Sequence, residues 1–419
     1  MNSTKLTTAW AKIDEQGRLV LPPGLIEKYG LAPGARMRID EGENVVRIHR
    51  PVTHLTKIYV EPTVACNLDC ITCFRHSWEE PNARMDEETF DAIFENLQSM
   101  DPVPTVYFGG IGEPLLHRKT IEWVTRVKSL GGRVELITNG LLLTETRIRK
   151  LVDAGLDTLW VSIDGASPET YADVRIGSHL PLILDHLKMV TRLRSGGHFP
   201  KPEIGIAFLA MKRNIKDLPE VIRMGIALGA RYFSVSNLQP ASKEMQNECL
   251  YSRTLRNISY IPSAVLPRLN LPKLDFSPET KEALFQAFNS GCNVFFAGNN
   301  WGGANDVCNF VESGTLSIAT NGDVSPCWPL MHSFTSYLHG KPRHSIKHVI
   351  GNVNNTPIID LWLSPEYLSY RERLHNFVFA PCTFCGGCDL SERNEEDCFG
   401  NTFPTCGGCL WAQGIVQCP

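Results

Sequence analysis

The chain has 419 residues, 43 % of them hydrophobic and 21 % charged, with a formal net charge of −4. That length can build two or three domains with real cores, and the near-neutral balance gives no electrostatic ground for nucleic acid or an anionic membrane as the main partner. The opening MNSTKLTTAWAKIDEQ has no apolar signal-peptide core and no apolar run approaches the ~18 residues of a membrane span, so a soluble, cytoplasmic protein is expected.

Fourteen cysteines are many for such a protein. Three lie at 66–73, nine lie between 308 and 418, and only Cys249 and Cys292 fall in between. Short-spaced groups in a chain without a secretion signal read as metal ligands before disulfides.

Residues 1–52 form the first unit. Apolar and polar positions alternate through KIDEQGRLVLPPGLIEKYGLAPGARMRIDEGENVVRIHR, broken at Pro22-Pro23-Gly24 and at Pro33-Gly34. The pattern predicts short strands around one or two helical turns. So little chain cannot bury a good core alone, so it needs the next domain or a second copy. The run Gly17-Arg18-Leu19-Val20-Leu21-Pro22 resembles the signature of AbrB-like swapped-hairpin modules. The resemblance implies an interlocked homodimer through residues 1–50. Many such modules bind DNA, but eight Lys/Arg against six Asp/Glu in those 50 residues is a weak basic excess. Dimerisation or docking is favoured over DNA binding.

Residues 53–240 alternate strand and helix. The expected strands begin at Lys57, Val103, Arg133, Thr158, Glu203 and Arg231. The first helix, from Asp86, places Phe90, Ile93, Phe94 and Leu97 on one face. The last opens with Asp217 and Glu220 in capping positions before Val221 and Ile222. Six βα units in a row imply a parallel sheet with right-handed crossovers. An open, partial (β/α)6 barrel is expected, with its chemistry at the C-terminal ends of the strands.

After the first strand comes EPTVACNLDCITCF, which contains Cys66-x3-Cys70-x2-Cys73. Three thiolates on one loop can bind three irons of a cubane and leave the fourth open. A structural zinc ion wants four ligands in paired knuckles, and His76 is the one nearby candidate for a fourth. The spacing, placed after the first strand of a βα array, is that of the radical S-adenosylmethionine (SAM) superfamily, and the chain is identified as a member. The resemblance implies a [4Fe–4S] cluster whose open iron chelates SAM and delivers the electron that releases a 5′-deoxyadenosyl radical.

The second strand runs into FGGIGEPLLH. Gly109, Gly110, Gly112 and Glu113 resemble the family's GGE motif, lengthened by Ile-Gly, whose backbone receives the SAM amino group. The third strand ends at Thr138 and Asn139, and the fourth at Ser162 and Asp164. By resemblance Ser162 and Asp164 lie at the ribose, and Arg175 lies near the SAM carboxylate, which a guanidinium meets fork to fork. Asn139-Gly140 and Asp164-Gly165 also read as plain turns. No residue is singled out as a catalytic acid or base.

Residues 241–305 read as an irregular bridge with one helix from Pro278 to Phe288. Residues 306–419 hold the remaining cysteines. Cys308-x13-Gly322-x4-Cys327 resembles the opening of the SPASM domain, which binds one or two auxiliary [4Fe–4S] clusters. Cys382 and Cys385 match its next pair, and Cys406, Cys409 and Cys418 match the rest. Cys388 and Cys398 are additional. Nine candidates exceed the eight that two fully ligated cubanes need, and spacing does not say which is spare. Zinc ribbons are the rival reading.

Taken whole, the chain resembles radical SAM maturases associated with tungsten-cofactor oxidoreductases. The implied activity is modification of a peptide, protein or cofactor, with a tungsten-containing oxidoreductase as partner and ferredoxin or flavodoxin as reductant. A ribosomal-peptide maturase that forms thioether or C–C crosslinks is the alternative. An iron–sulfur redox-sensing DNA regulator is a second, which the GIGEPLL segment disfavours because a sensor needs no SAM site.

Overall fold

The structure is a computed structural model. It describes residues 9–31, 35–42, 45–78, 80–194, 200–256, 274–296, 308–385 and 388–419. Parts of the expected bridge, 257–273 and 297–305, lie outside the described residues.

Two hairpins open the chain. β1 (Lys12–Ile13) pairs antiparallel with β2 (Leu19–Val20). Their turn is held by Asp14, whose carboxylate accepts the backbone N–H of Gln16 and Arg18. Helix α1 (Pro23–Tyr29) starts on a proline and stops at Gly30, which is left-handed at φ 60°. β3 (Ile39–Gly42) and β4 (Val45–Ile48) form the second hairpin. α1 buries no residue, and Ile13, Leu19, Val20, Ile26, Ile39 and Val46 are all exposed. An isolated two-stranded hairpin is marginal in water. The second hairpin is tied to the C-terminal part of the chain. Arg38 donates to the His375 carbonyl, and His49 lies between Glu312 at 3.1 Å and Asp40 at 2.8 Å.

His54 packs directly under Gly30, where an added Cβ would stand 2.8 Å from its ring. Burial, and then the Arg50 charge, hold its pKa down at about 4. The unfolded value is about 6.5, so the group's contribution to stability is complete above that pH and is lost as pH falls through about 4. Lowering the pH from 7 to 5 is therefore expected to loosen this seat and speed limited proteolysis within residues 9–50. A cleavage rate there that does not change with pH would contradict the assignment.

The βα array begins with β5 (Lys57–Val60), α2 (Glu87–Gln98), β6 (Thr105–Phe108), α3 (Thr120–Ser129) and β7 (Val134–Thr138). It continues with α4 (Glu145–Asp153), β8 (Thr158–Ser162), α5 (Pro168–Val174), α6 (Leu180–Leu193), β9 (Glu203–Ala210), α7 (Leu218–Ala227) and β10 (Ala230–Asn237). Local signals set the helix starts. Asp86 accepts the Thr89 N–H at 2.8 Å, Thr144 caps α4, and Ser167 and Thr170 form a capping box on α5. Asp217 departs from expectation. It makes no side-chain cap on α7, and its carboxylate instead accepts the Ala166 N–H at 2.9 Å.

After α8 (Pro278–Phe288), β11 (Asn293–Phe296) adds a parallel strand beside β10. Then follow α9 (Asn309–Glu312), β12 (Thr315–Ile318), β13 (Asp323–Ser325), β14 (Phe334–Leu338), β15 (Lys341–Ser345) and β16 (Gly351–Asn352). The chain closes with α10 (Ile358–Trp362), α11 (Pro365–Asn376) and the short α12 (Cys382–Cys385). The main sheet runs β11-β10-β9-β8-β7-β6-β5-β12-β13-β16. The six expected strands form its centre, and parallel strands from the bridge and the C-terminal part extend both edges. Between those edges the chain's last residues cross the opening. Gln417 bonds Val235 and Ser236 of β10, and the Tyr59 hydroxyl of β5 donates to the Pro419 carbonyl at 3.4 Å. No helix among the described residues is long and apolar enough to cross a membrane.

Candidate iron–sulfur and SAM site

The Cys66–Cys73 loop leaves the C-terminal end of β5. Backbone bonds anchor it to the end of α5, from the Asp69 N–H to the Ile176 carbonyl and from the Ile71 N–H to the Val174 carbonyl, both at 3.1 Å. All three thiols are half-buried and lie within electrostatic reach of one another. Burial pushes the Cys70 thiol up to about 11, Arg175 opposes that, and Cys73 and Cys66 add to it. His76 is no fourth ligand here. Its Nε2 faces the Cys70 carbonyl at 3.0 Å and the Asp69 carboxylate at 3.4 Å.

The Gly109–Glu113 loop lies against this one. The Glu113 N–H donates to the Ala65 carbonyl at 2.9 Å. A Cβ on Gly112 would overlap the Thr63 carbonyl oxygen and stand 2.6 Å from that of Ala65. Only glycine lets two backbones approach so closely. Glu113 itself is 2 % exposed. Its carboxylate accepts from Thr138 Oγ1 and the Asn139 N–H at 2.8 Å and from the Leu115 N–H at 3.0 Å. Burial raises its pKa against those donors. Glu113 and Thr138 therefore fasten the loop to the end of β7.

Asn139 reaches the cysteine loop. Its Nδ2 donates to Asn67 Oδ1 at 2.9 Å and lies 3.9 Å from Cys66 Sγ. Ser162 ends β8, with its carbonyl accepting the Tyr171 hydroxyl at 2.9 Å. Asp164, fully buried, accepts the Leu209 N–H at 2.7 Å and pairs with Arg175 Nε at 2.7 Å. Burial disfavours the Arg175 charge, but Asp164, Tyr171 and Cys70 more than offset this and hold it firmly protonated. The expected residues thus converge on one place. Cys66, Cys70, Cys73, Asn139 and Arg175 are grouped, the glycines pack behind them, and Asp164 orients the arginine.

The C-terminal cysteines separate into two groups. Cys308, Cys327 and Cys406 are buried and Cys409 is half-buried, and together with Cys382 they line a cavity of about 70 Å³. Burial and then their mutual charges push these thiols up, Cys308 to about 12. The Tyr370 hydroxyl lies 3.2 Å from Cys406 Sγ. A Cβ on Gly407 would overlap the Ala380 carbonyl oxygen, so the Cys406–Cys409 turn requires glycine. The second group is Cys382, Cys385, Cys388 and Cys398, all within electrostatic reach of Cys382 or of Arg343. Arg343 is 7 % exposed and donates to the Ser391 carbonyl, while its Nε has no partner among the described residues. A buried cation with an orphaned donor beside four thiols fits an anionic cluster in their midst.

Cys418, expected among these ligands, stands apart. It is half-buried near Tyr59, Tyr107, Lys57 and Trp411 at the inner side of the barrel, its thiol pushed up to about 11 by burial. Cys249 is a buried thiol beside Tyr251. Among the described residues no three His, Cys, Asp or Glu side chains close on a single metal ion. A tetrahedral zinc holds its sulfurs only about 4 Å apart, whereas four thiols around a cavity suit a larger polynuclear core.

Sequence reading missed Glu61, Glu80, His332, Arg343 and Tyr370. Glu61 was visible five residues before Cys66, but nothing local marks His332 or Arg343, which reach their partners only through the fold.

This architecture, with three thiols at the mouth of a parallel barrel and a cysteine-rich extension, matches known families. Residues 60–222 match the radical SAM superfamily, and residues 308–389 match the SPASM iron–sulfur cluster-binding domain. The chain belongs to the radical SAM superfamily, as an enzyme of its SPASM-bearing branch.

Among individual proteins, it is 30 % identical over 369 residues to the tungsten-containing aldehyde ferredoxin oxidoreductase cofactor-modifying protein of Pyrococcus furiosus, covering 86 % of this chain and 96 % of that one. It is 28 % identical over 202 residues to the PqqA peptide cyclase of Rhodopseudomonas palustris, covering 48 % and 52 %. Its fold is similar to Streptococcus suis SuiB bound to precursor peptide SuiA, with a TM-score of 0.54 at 15 % identity, covering 81 % and 71 %.

Proposed function

We propose that Cys66, Cys70 and Cys73 hold a [4Fe–4S] cluster beside a SAM pocket, and that the enzyme modifies a cofactor, peptide or protein during maturation of a tungsten-containing oxidoreductase. When bound, the cluster supplies the electron that splits SAM into methionine and a 5′-deoxyadenosyl radical. The observation that carries the reading is three half-buried thiols on one loop, whose approach at Thr63–Ala65 packs on Gly112, with the His76 Nε2 engaged by the Cys70 carbonyl and the Asp69 carboxylate. Likeness to the Pyrococcus furiosus protein over most of both chains supports the tungsten step.

The chain's own residues position and balance charge. Gly109, Gly110 and Gly112 bring loop backbone to the SAM amino group, and Glu113 and Thr138 keep that loop in place. Arg175, oriented by Asp164, meets the SAM carboxylate, Ser162 lies toward the ribose, and the Asn139 amide favours the Cys66 thiolate. Cys308, Cys327, Cys406 and Cys409 would hold one auxiliary cluster, and Cys382, Cys385, Cys388 and Cys398 a second, with Arg343 offsetting the charge. Cys418 is left as a thiol of the barrel interior.

This reading divides the chain into a hairpin module (1–52), a radical SAM core (53–240), a bridge (241–305) and a SPASM-like domain (306–419). A ferredoxin or flavodoxin supplies electrons, and a second copy pairs through residues 1–50, covering the exposed Ile13, Leu19, Val20, Ile26, Ile39 and Val46. The test is anaerobic incubation of the reconstituted enzyme with SAM, reductant and the immature oxidoreductase. A mass change in the oxidoreductase or its cofactor, together with 5′-deoxyadenosine, is expected. Modification of a small precursor peptide instead would favour the second reading, which the likeness to a peptide cyclase supports.

Tyr370→Phe is expected to lower the reduction potential of the cluster bound by Cys406, because a hydroxyl donor to a ligand sulfur favours the more negative, reduced state. Potentiometric titration followed by EPR checks this, and an unmoved potential would remove Tyr370 from the site.

A further inference from the structure

Glu61 belongs to no ligand set, yet it is completely buried at the tip of β5. A buried carboxylate survives only with hydrogen bonds and an opposite charge. Both are present. Oε1 accepts the Ile111 N–H at 3.0 Å, and Oε2 meets His332 Nε2 at 2.7 Å. On the far side of the ring, His332 Nδ1 meets Glu80 Oε2 at 2.7 Å. Burial opposes a charge on His332, but its bonds to Glu61 and Glu80 raise its pKa, and each ring nitrogen faces a carboxylate oxygen. Trp78 covers the ring edge-on at 4.6 Å. Gly110 completes the arrangement at φ +145°, where a Cβ would lie 2.5 Å from Glu61 Cγ.

Three segments therefore meet at one side chain. Ile111, between Gly110 and Gly112, is reached through Glu61. Glu80, on the stretch that follows Cys73, is reached directly. His332 itself lies on the stretch that follows Cys327. We propose that His332 is a positioning residue for SAM, fixing the Gly109–Glu113 loop through Glu61 and tying the fit of that loop to the cysteine loop and the auxiliary domain. The proposal rests on the radical SAM reading of the site. Without His332, the buried Glu61 Oε2 loses its 2.7 Å partner, and the loop above it must shift to admit water. Truncating one partner of a charged hydrogen bond corresponds to a loss of about tenfold or more in a dependent equilibrium.

The experiment measures SAM affinity by equilibrium binding to the reconstituted enzyme, and the SAM-induced change in the EPR signal of the reduced enzyme. His332→Gln, Glu61→Gln and the double variant are compared at equal iron content and Tm. Each single variant should bind SAM about tenfold more weakly or worse, with an altered SAM-induced signal. The double variant should be no worse than the poorer single one, because the two residues act as a unit. Wild-type affinity and signal in His332→Gln would overturn the proposal, as would effects that simply multiply. If His332→Gln loads less iron, Glu61→Gln carries the same two readouts alone. A wild-type enzyme that binds no SAM would overturn the radical SAM reading and this proposal with it.

Discussion

With Cys66, Cys70 and Cys73 all replaced by Ala, 5′-deoxyadenosine formation under dithionite and SAM is expected to fall to background, and bound iron by about four atoms per chain. The enzyme should remain folded. The loop hangs from the end of α5 by backbone bonds that the substitutions leave untouched, and the barrel core of Ile58, Val60, Val106 and Phe108 is fully buried. Lost product with unchanged Tm therefore isolates the chemistry from the fold. Continued 5′-deoxyadenosine production would remove these thiols from the reaction. Loss of the product from wild type as well, despite a full iron load, would sink the enzyme reading in its simple form.

Two serine substitutions near the C-terminus should behave in opposite ways. Cys406→Ser should cost about four of roughly twelve irons and lower the Tm markedly. Cys406 lines the cavity with Cys308, Cys327 and Cys409, and where a metal core fills such a cavity its binding energy is part of the folding energy. Cys418→Ser should keep the full iron content, because that thiol lies within electrostatic reach of Lys57, Tyr59 and Tyr107 and bonds Trp411, with no other cysteine among its charged neighbours in the described residues. Iron analysis and differential scanning calorimetry decide the matter. Iron loss from Cys418→Ser, with retention in Cys406→Ser, would reverse the assignment of the auxiliary ligands.

Much of this protein is written locally. The six central strands follow from short apolar runs, the helix starts from Asp86, Thr144 and Ser167, and the first ligand set from three cysteines within eight residues. Such features depend on neighbours within a turn or two, so spacing alone carries them. The module at the start of the chain was legible for the same reason, as hairpins too short to enclose a core.

What depends on groups far apart in sequence emerged only from the fold. Glu113 reads as a SAM ligand in a motif, but packing turns its carboxylate onto Thr138 and the Asn139 N–H, because a buried carboxylate takes the nearest donors. Strands β11 and β12, which flank the six central strands, come from segments that lie in a bridge and in a cysteine-rich tail, since an open sheet edge accepts whichever strand is delivered to it. Nine cysteines with similar spacings sort into two groups and one outlier only when the chain returns from Cys327 to Cys406, a separation that local pattern cannot span. The Glu61–His332–Glu80 bridge joins residues more than 250 positions apart. Burial makes such a pairing obligatory once the backbone has brought the charges together, and only tertiary structure decides which charges those are.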